Sequence, residues 1–156
     1  MNPTDVIRLN AEEVRRRSVK LWEGIPADKL AWKPDPGARS CIEIVRHVLE
    51  GEYLYMMMVR TGRNVPDESS PFGGRAYTSV RDELNFAAPF HKQYLEFLAG
   101  LTADELTSIK VDRSEVGYVR SAGDFLLRAA YHEAVHAGQL LDYLRTMGVA
   151  RPSVWD

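Results

Sequence analysis

The chain has a single cysteine, Cys41, among its 156 residues, so no disulfide can close within it. Such sparing use fits a reducing compartment, and a cytoplasmic protein is expected. No apolar run approaches the roughly 20 residues that cross a bilayer. The start, Met1-Asn2-Pro3-Thr4-Asp5, places no basic stretch ahead of an apolar one. Neither a membrane partner nor a secretory signal is therefore expected. An excess of one charge is also missing. The formal net charge is −2 and no long like-charged run occurs, which argues against a nucleic-acid partner. Arg15-Arg16-Arg17 reads as a solvated helix face with acidic neighbours. With no repeat and no low-complexity tract, residues 1–156 read as one domain, long enough for a full core.

What the chain does have is helical periodicity. Pro3 to about Gly24 keeps Ile7, Ala11, Val14, Ser18 and Leu21 on one stripe. Pro26, Pro34, Pro36 and Gly37 exclude a long helix in the next stretch, where Trp32 is expected to plug one end of the core. Ser40 with Glu43 forms a capping box that opens a second helix, ending near Arg60 with Gly62 as its stop. Its inner stripe is Ile44, His47, Gly51, Leu54 and Met58, and Gly51 is expected to leave open volume beside His47. Residues 62–77 are turn-rich, and extended they are long enough to run back along a whole helix. The third helix, from about Thr78 to Ala99, then starts parallel to the second. Gly100 to Arg120 suggests a short helical turn and a small hairpin made from Thr107–Val111 and Val116–Arg120. The last helix runs from Ser121, capped with Asp124, to Gly148. The expected fold is all-α, a four-helix bundle with a crossover between helices two and three.

On the last helix Phe125, Ala129, His132, His136, Gln139, Leu140, Tyr143 and Met147 share one stripe, so the two histidines should face the core. Residues four apart stand one above the other, and two such imidazoles can take neighbouring corners of a metal's coordination shell. The plainer reading is a pair of core histidines satisfied by hydrogen bonds. His47 points inward from the second helix. Three imidazoles on a divalent metal leave a position for water or substrate, which is the pattern of a catalytic site. Zinc, nickel and iron all suit such a set. Glu43 and Glu50 flank His47 by one turn each, and either can accept a histidine N–H or act as a base, although capping already explains Glu43. Gln139 can line the pocket. His91 reads as a hydrogen-bonded core residue, and Cys41 as a small buried thiol.

His132-Glu133-Ala134-Val135-His136 also matches H-E-x-x-H, in which the glutamate is general base to metal-bound water. That reading needs a further ligand downstream. No histidine or glutamate follows His136, Asp142 lies off the histidine stripe, and Glu133 points about 100° from His132.

The chain resembles the DinB-like (DinB/YfiT) proteins. The resemblance rests on Trp32-Lys33-Pro34, on Ser40-Cys41-Ile42-Glu43-Ile44-Val45-Arg46-His47, on His132-Glu133-Ala134-Val135-His136-Ala137-Gly138-Gln139 continuing to Arg145, and on the closing stretch from Gly148 to Pro152. It implies a crossover four-helix bundle, often a dimer, holding one divalent metal on the positions of His47, His132 and His136. Characterised relatives of this kind include thiol-dependent transferases and a thiol-dependent isomerase. Three functions compete on that basis. The first is a metal-dependent thiol transferase with a low-molecular-weight thiol and a small-molecule substrate. The second is a hydrolase using metal-activated water, and the third a non-enzymatic stress-response metal-binding module. An open basic cleft at the metal favours the first, and a sealed apolar site the third. Arg39, Arg63, Arg75 and Arg120 are the candidate sources of positive charge. A homodimer is also expected, because Leu126, Leu127, Ala130, Ala134, Ala137 and Leu141 make the last helix apolar opposite His132.

Overall fold

The structure, a computed structural model, describes residues 1–156. Four long helices form the bundle: α1 (Pro3–Glu23), α2 (Cys41–Thr61), α3 (Val80–Gly100) and, after the short α4 (Glu105–Ser108), α5 (Ala122–Thr146). Strands β1 (Lys110–Arg113) and β2 (Tyr118–Ser121) make the small antiparallel hairpin just ahead of α5. Ends are set by local chemistry. Asn2, Ser40, Ser79 and Ser121 cap the four helices through their side-chain oxygens, and Ser40–Glu43 closes as a reciprocal box. Gly62 ends α2 at φ 70, a left-handed position that suits glycine.

The crossover is visible in which residues meet. Arg46 pairs with Glu83, Glu52 with His91 and Tyr53 with Phe90, numbers that rise together, so α2 and α3 run parallel. His47 meets His136 and Tyr55 meets Phe125, so α5 opposes α2. Ile7 and Ala11 share a cluster with Leu98 and Phe125, and Leu21 and Trp22 share the other with Val80 and Leu140, so α1 runs parallel to α5 and against α3. Residues 62–79 make the return. Their end is pinned by Arg46, which donates to the carbonyls of Arg75 and Ala76 and lies over the Tyr77 ring at 3.8 Å.

The core has two apolar clusters. One gathers Leu21, Trp22, Ile44, Leu49, Phe72 and Leu140, and the other Ile7, Met56, Tyr94, Leu98, Phe125 and Leu126. Between them each long helix contributes a polar side chain. Arg15, Glu52, His91 and Glu133 form one connected layer there, with Arg15 3.0 Å from Glu133 and 3.2 Å from Glu52, and His91 3.0 Å from Glu52. Arg15 is thus buried, at 7% exposure, and is not part of a solvated face as its neighbours Arg16 and Arg17 are. It stands one turn after Ala11 on α1, the buried side. Burial opposes its charge, but Glu133 and Glu52 more than offset that and raise its pKa. The Tyr94 hydroxyl is also buried here and has no hydrogen-bond partner.

Part of the apolar back of α5 is covered by the chain itself. Leu126 joins the cluster containing Ile7 and Ala11, and Ala130 is buried too, whereas Leu127 and Ala134 stay exposed. No helix is long and apolar enough to cross a membrane.

Candidate metal centre

Three side chains from two antiparallel helices converge where α2 passes α5. His47 comes from α2, and His132 and His136 stand one turn apart on α5. Their nearest ring nitrogens all lie within 4.8 Å of one another, and His132 Nε2 is 3.0 Å from His47 Nε2. The rings meet nearly edge to face, at centroid separations of 4.8, 4.9 and 4.6 Å. The histidines are half-buried rather than in the core. Their stripe lies at the rim of the α2–α5 contact, and Phe125, Leu140 and Tyr143 fill the interior beside it.

The donors are electrostatically prepared. Burial, the positive charge of Arg39 and the neighbouring imidazoles push the pKa of His47 down to about 4. Burial, His136 and Arg39 do the same to His132, also to about 4. Both rings are therefore neutral at pH 7, as a metal ligand must be. For His136 the tautomer follows from its partner. Its Nδ1 donates to Gln139 Oε1 at 2.8 Å, which leaves the Nε2 lone pair facing the cluster. Gln139 Nε2 donates to the Tyr143 hydroxyl at 3.1 Å, and that hydroxyl donates to the Arg39 carbonyl at 3.2 Å. Trp32 packs edge-on to Tyr143 at 5.1 Å. One chain of contacts thus holds His136 and the loop ahead of α2 in a fixed relation.

Gly51 makes space as expected, but that space is not left open. A Cβ there would sit 2.9 Å from His132 Cε1 and 3.1 Å from its Nδ1. The space it leaves is filled by the His132 ring, so α2 and α5 can close enough for His47 to reach it. Tyr55, one turn further along α2, stands edge-on to His132 at 6.0 Å.

The remaining expected residues divide. Gln139 does contact a cluster histidine. Glu50 hydrogen-bonds none of them, and Glu43 is spent on the Ser40 cap at 2.7 Å. His91 is tied to Glu52 outside the cluster. Cys41 is buried and its thiol is pushed up to about 11 by that burial, which removes it as a nucleophile. Glu133 faces away from the histidines into the polar layer. Of the four arginines, only Arg39 lies at the site. Arg75 pairs with Asp82 and Glu83, Arg120 with Asp124, and Arg63 lies by the hairpin opposite Asp112.

Beside His136 opens a cleft of about 600 Å³ lined by Lys33, Arg39, Glu43, Gln139 and the backbone turn at Gly37 and Ala38. Lys33 was not foreseen as part of it. Its only cue was the Trp-Lys-Pro string, whose place beside α5 depends on Trp32 packing on Tyr143. A second cleft of about 390 Å³ lies against His132, bounded by Tyr55, Arg128, Tyr131 and Val135.

Fold and site together define a crossover four-helix bundle with three convergent imidazoles between two helices. The chain belongs to the DinB superfamily, whose family model matches residues 10–140. It is 28% identical over 130 residues to the uncharacterized protein YjoA of Bacillus subtilis strain 168, covering 83% of this chain and 80% of that one. The crystal structure of YjoA, a DinB-like protein, superposes with a TM-score of 0.72 at 24% identity, over 94% of each chain. A DinB-like protein from Bacillus cereus ATCC 10987 superposes with a TM-score of 0.69 at 18% identity, over 92% of this chain and 91% of that one. These structural likenesses concern the fold.

Proposed function

We propose that the protein binds one divalent metal ion, zinc, nickel or iron, through His47, His132 and His136, and catalyses a thiol-dependent transfer. The carrying observation is that the three-imidazole cluster opens, through His136, onto a cleft whose charged side chains are Lys33, Arg39 and Glu43, two cations to one anion. The single carboxylate is already held by the α2 cap. A low-molecular-weight thiol bearing a carboxylate suits that surface, and a sealed apolar site would not admit it. A divalent ion held by three histidines keeps a coordination position free and would stabilise a bound thiol as its thiolate. Lys33 and Arg39 would hold the anionic end, and Gln139 would keep the His136 lone pair directed at the cluster.

The test is in two stages. Protein purified without chelator and supplied with zinc or nickel should carry one ion per chain by elemental analysis. His47→Ala, His132→Ala and His136→Ala should each lose it, and His91→Ala should keep it. A wild-type protein that stays metal-free overturns the reading. The loaded protein is then screened for consumption of glutathione, L-cysteine and other thiols with a panel of electrophiles. Metal loading with no thiol turnover on any electrophile leaves the metal site standing and removes the transferase.

A further inference from the structure

The histidine cluster lies between two clefts of opposite chemistry. The cleft at His136 carries Lys33 and Arg39. The cleft at His132 has no free charge. Its one cation, Arg128, donates to Asp124 at 2.8 Å and lies over the rings of Tyr118 and Phe125 at 5.0 and 5.5 Å, so it forms a flat, neutralised wall. The rest is ring and methyl surface from Tyr55, Tyr131 and Val135. Tyr131 is 71% exposed and Val135 50% exposed, large apolar side chains left in water next to the candidate site. Tyr55 is half-buried and meets the His132 ring at 61°, with centroids 6.0 Å apart, and burial raises its pKa, so it remains a neutral phenol. The volume of about 390 Å³ is at the low end of small-molecule pockets, enough for one or two fused rings.

We infer that the Tyr55–Tyr131–Val135 cleft is the subsite for the second substrate, an uncharged electrophile with a planar aromatic or conjugated body. This rests on the transfer reading above and adds where the two substrates lie. The thiol enters from the His136 side and the electrophile from the His132 side, so that they meet at the cluster. The thiol gives its proton to solvent. Its sulfur pair forms the new C–S bond at the electrophilic carbon, and the leaving group departs with the pair of the broken bond. The products are a thioether, a proton and, for an aryl or alkyl halide, a halide ion. The apolar rims favour the ring system by contact and aromatic packing, and lysine and arginine on the far side do nothing for it. Two separate subsites also mean that neither substrate has to displace the other.

The experiment uses the full chain and 1,3-dinitrobenzene, a planar probe with no leaving group. Binding is followed by two-dimensional NMR of the tyrosine ring and valine methyl signals, with and without saturating glutathione. The signals of Tyr55, Tyr131 and Val135 should shift, with glutathione changing the affinity less than twofold. Tyr131→Ser should weaken the probe roughly tenfold, about what one aromatic contact contributes, and Val135→Ala should weaken it by a smaller factor; both positions are exposed, and both variants should leave zinc content and glutathione affinity unchanged. Arg39→Glu should weaken glutathione and leave the probe unaffected. No shifts in this cleft, or probe affinity unchanged in both variants, overturns the subsite. Probe and glutathione competing for one site does so too. If the protein binds no metal, the transfer reading fails by elemental analysis, while the probe measurements still decide whether the cleft takes planar ligands.

Discussion

Gly51→Ala separates helix stability from metal geometry. In a helix interior alanine is favoured over glycine by about 1 kcal/mol. At position 51, however, the added methyl would meet the His132 ring at 2.9 Å. Comfortable carbon contacts begin near 3.5 Å, so the ring must retreat by roughly half an ångström. It moves away from α2, and so away from His47, whose Nε2 is now 3.0 Å from that of His132. Overpacking of this kind costs about 1–3 kcal/mol, so the metal-free variant should range from unchanged to about 2 kcal/mol less stable. Metal–ligand distances tolerate only about 0.2 Å, and the displacement exceeds that. Zinc affinity should fall by about 10- to 100-fold, the loss typical when a ligand's support is disturbed. Gly138→Ala is the matched control, since a Cβ there meets nothing within 4 Å on α5. It should gain up to about 1 kcal/mol and keep its affinity. Urea unfolding of the metal-free proteins and chelator-competition titration of zinc give both quantities. If Gly51→Ala behaves like Gly138→Ala in both assays, the assigned role of Gly51 is wrong.

Glu133→Gln should keep the metal but lose about 3 kcal/mol of stability by urea unfolding, because it removes the main partner of buried Arg15; unchanged stability would sink this account of the polar layer. Gln139→Leu, which frees His136 Nδ1, should weaken zinc binding roughly tenfold with little change in unfolding midpoint, and equal affinity would show that Gln139 does not orient the ring. In metal-free protein the ring protons of His47 and His132 should titrate near pH 4, and midpoints near 6.5 refute the site's electrostatics. Because the unfolded chain takes up these protons first, the stability they contribute is complete above about pH 6.5 and is lost as pH falls towards 4. A second copy of the chain is proposed to cover the exposed part of the α5 back around Leu127 and Ala134, and Ala134→Glu should then halve the mass seen by light scattering; a wild-type monomer at micromolar concentration removes the dimer.

The features readable from the chain were those with a local cause. A capping box needs two residues three apart, and Ser40–Glu43 forms as read. The pair at positions 132 and 136 needs only the helical repeat, and its rings do meet, at 4.6 Å. The crossover followed from loop length alone. Features that depend on register between helices were not readable. Arg15 and Glu133 are 118 residues apart, and nothing in Arg15-Arg16-Arg17 marks the first arginine as the buried one except its place one turn after Ala11. Gly51 was correctly read as making space, but the occupant, His132, comes from a helix whose offset along α2 periodicity does not encode. Arg39 and Lys33 sit on a proline-rich connector without a repeat, so their approach to the site depends on packing.

The polar layer also places the glutamate of H-E-x-x-H away from where a metalloprotease base would stand. Consecutive helical residues point about 100° apart, so His132 and Glu133 necessarily serve two environments. His132 and His136 face α2, where Gly51 admits the first of them. Glu133 turns into the bundle, where it is 5% exposed and takes two N–H groups of Arg15, each at 3.0 Å. A general base must reach the proton it removes within about 3 Å, or through one water. A carboxylate held by a buried guanidinium on another face of the helix does not meet that condition. Moving Glu133 towards the histidines would leave Arg15 with Glu52 as its only carboxylate partner in a closed interior, a change that breaking a buried pair makes costly, at about 3–5 kcal/mol. The motif here records two separate demands of the bundle on adjacent residues: imidazoles turned to the α2 rim, and a negative charge turned to the arginine of α1.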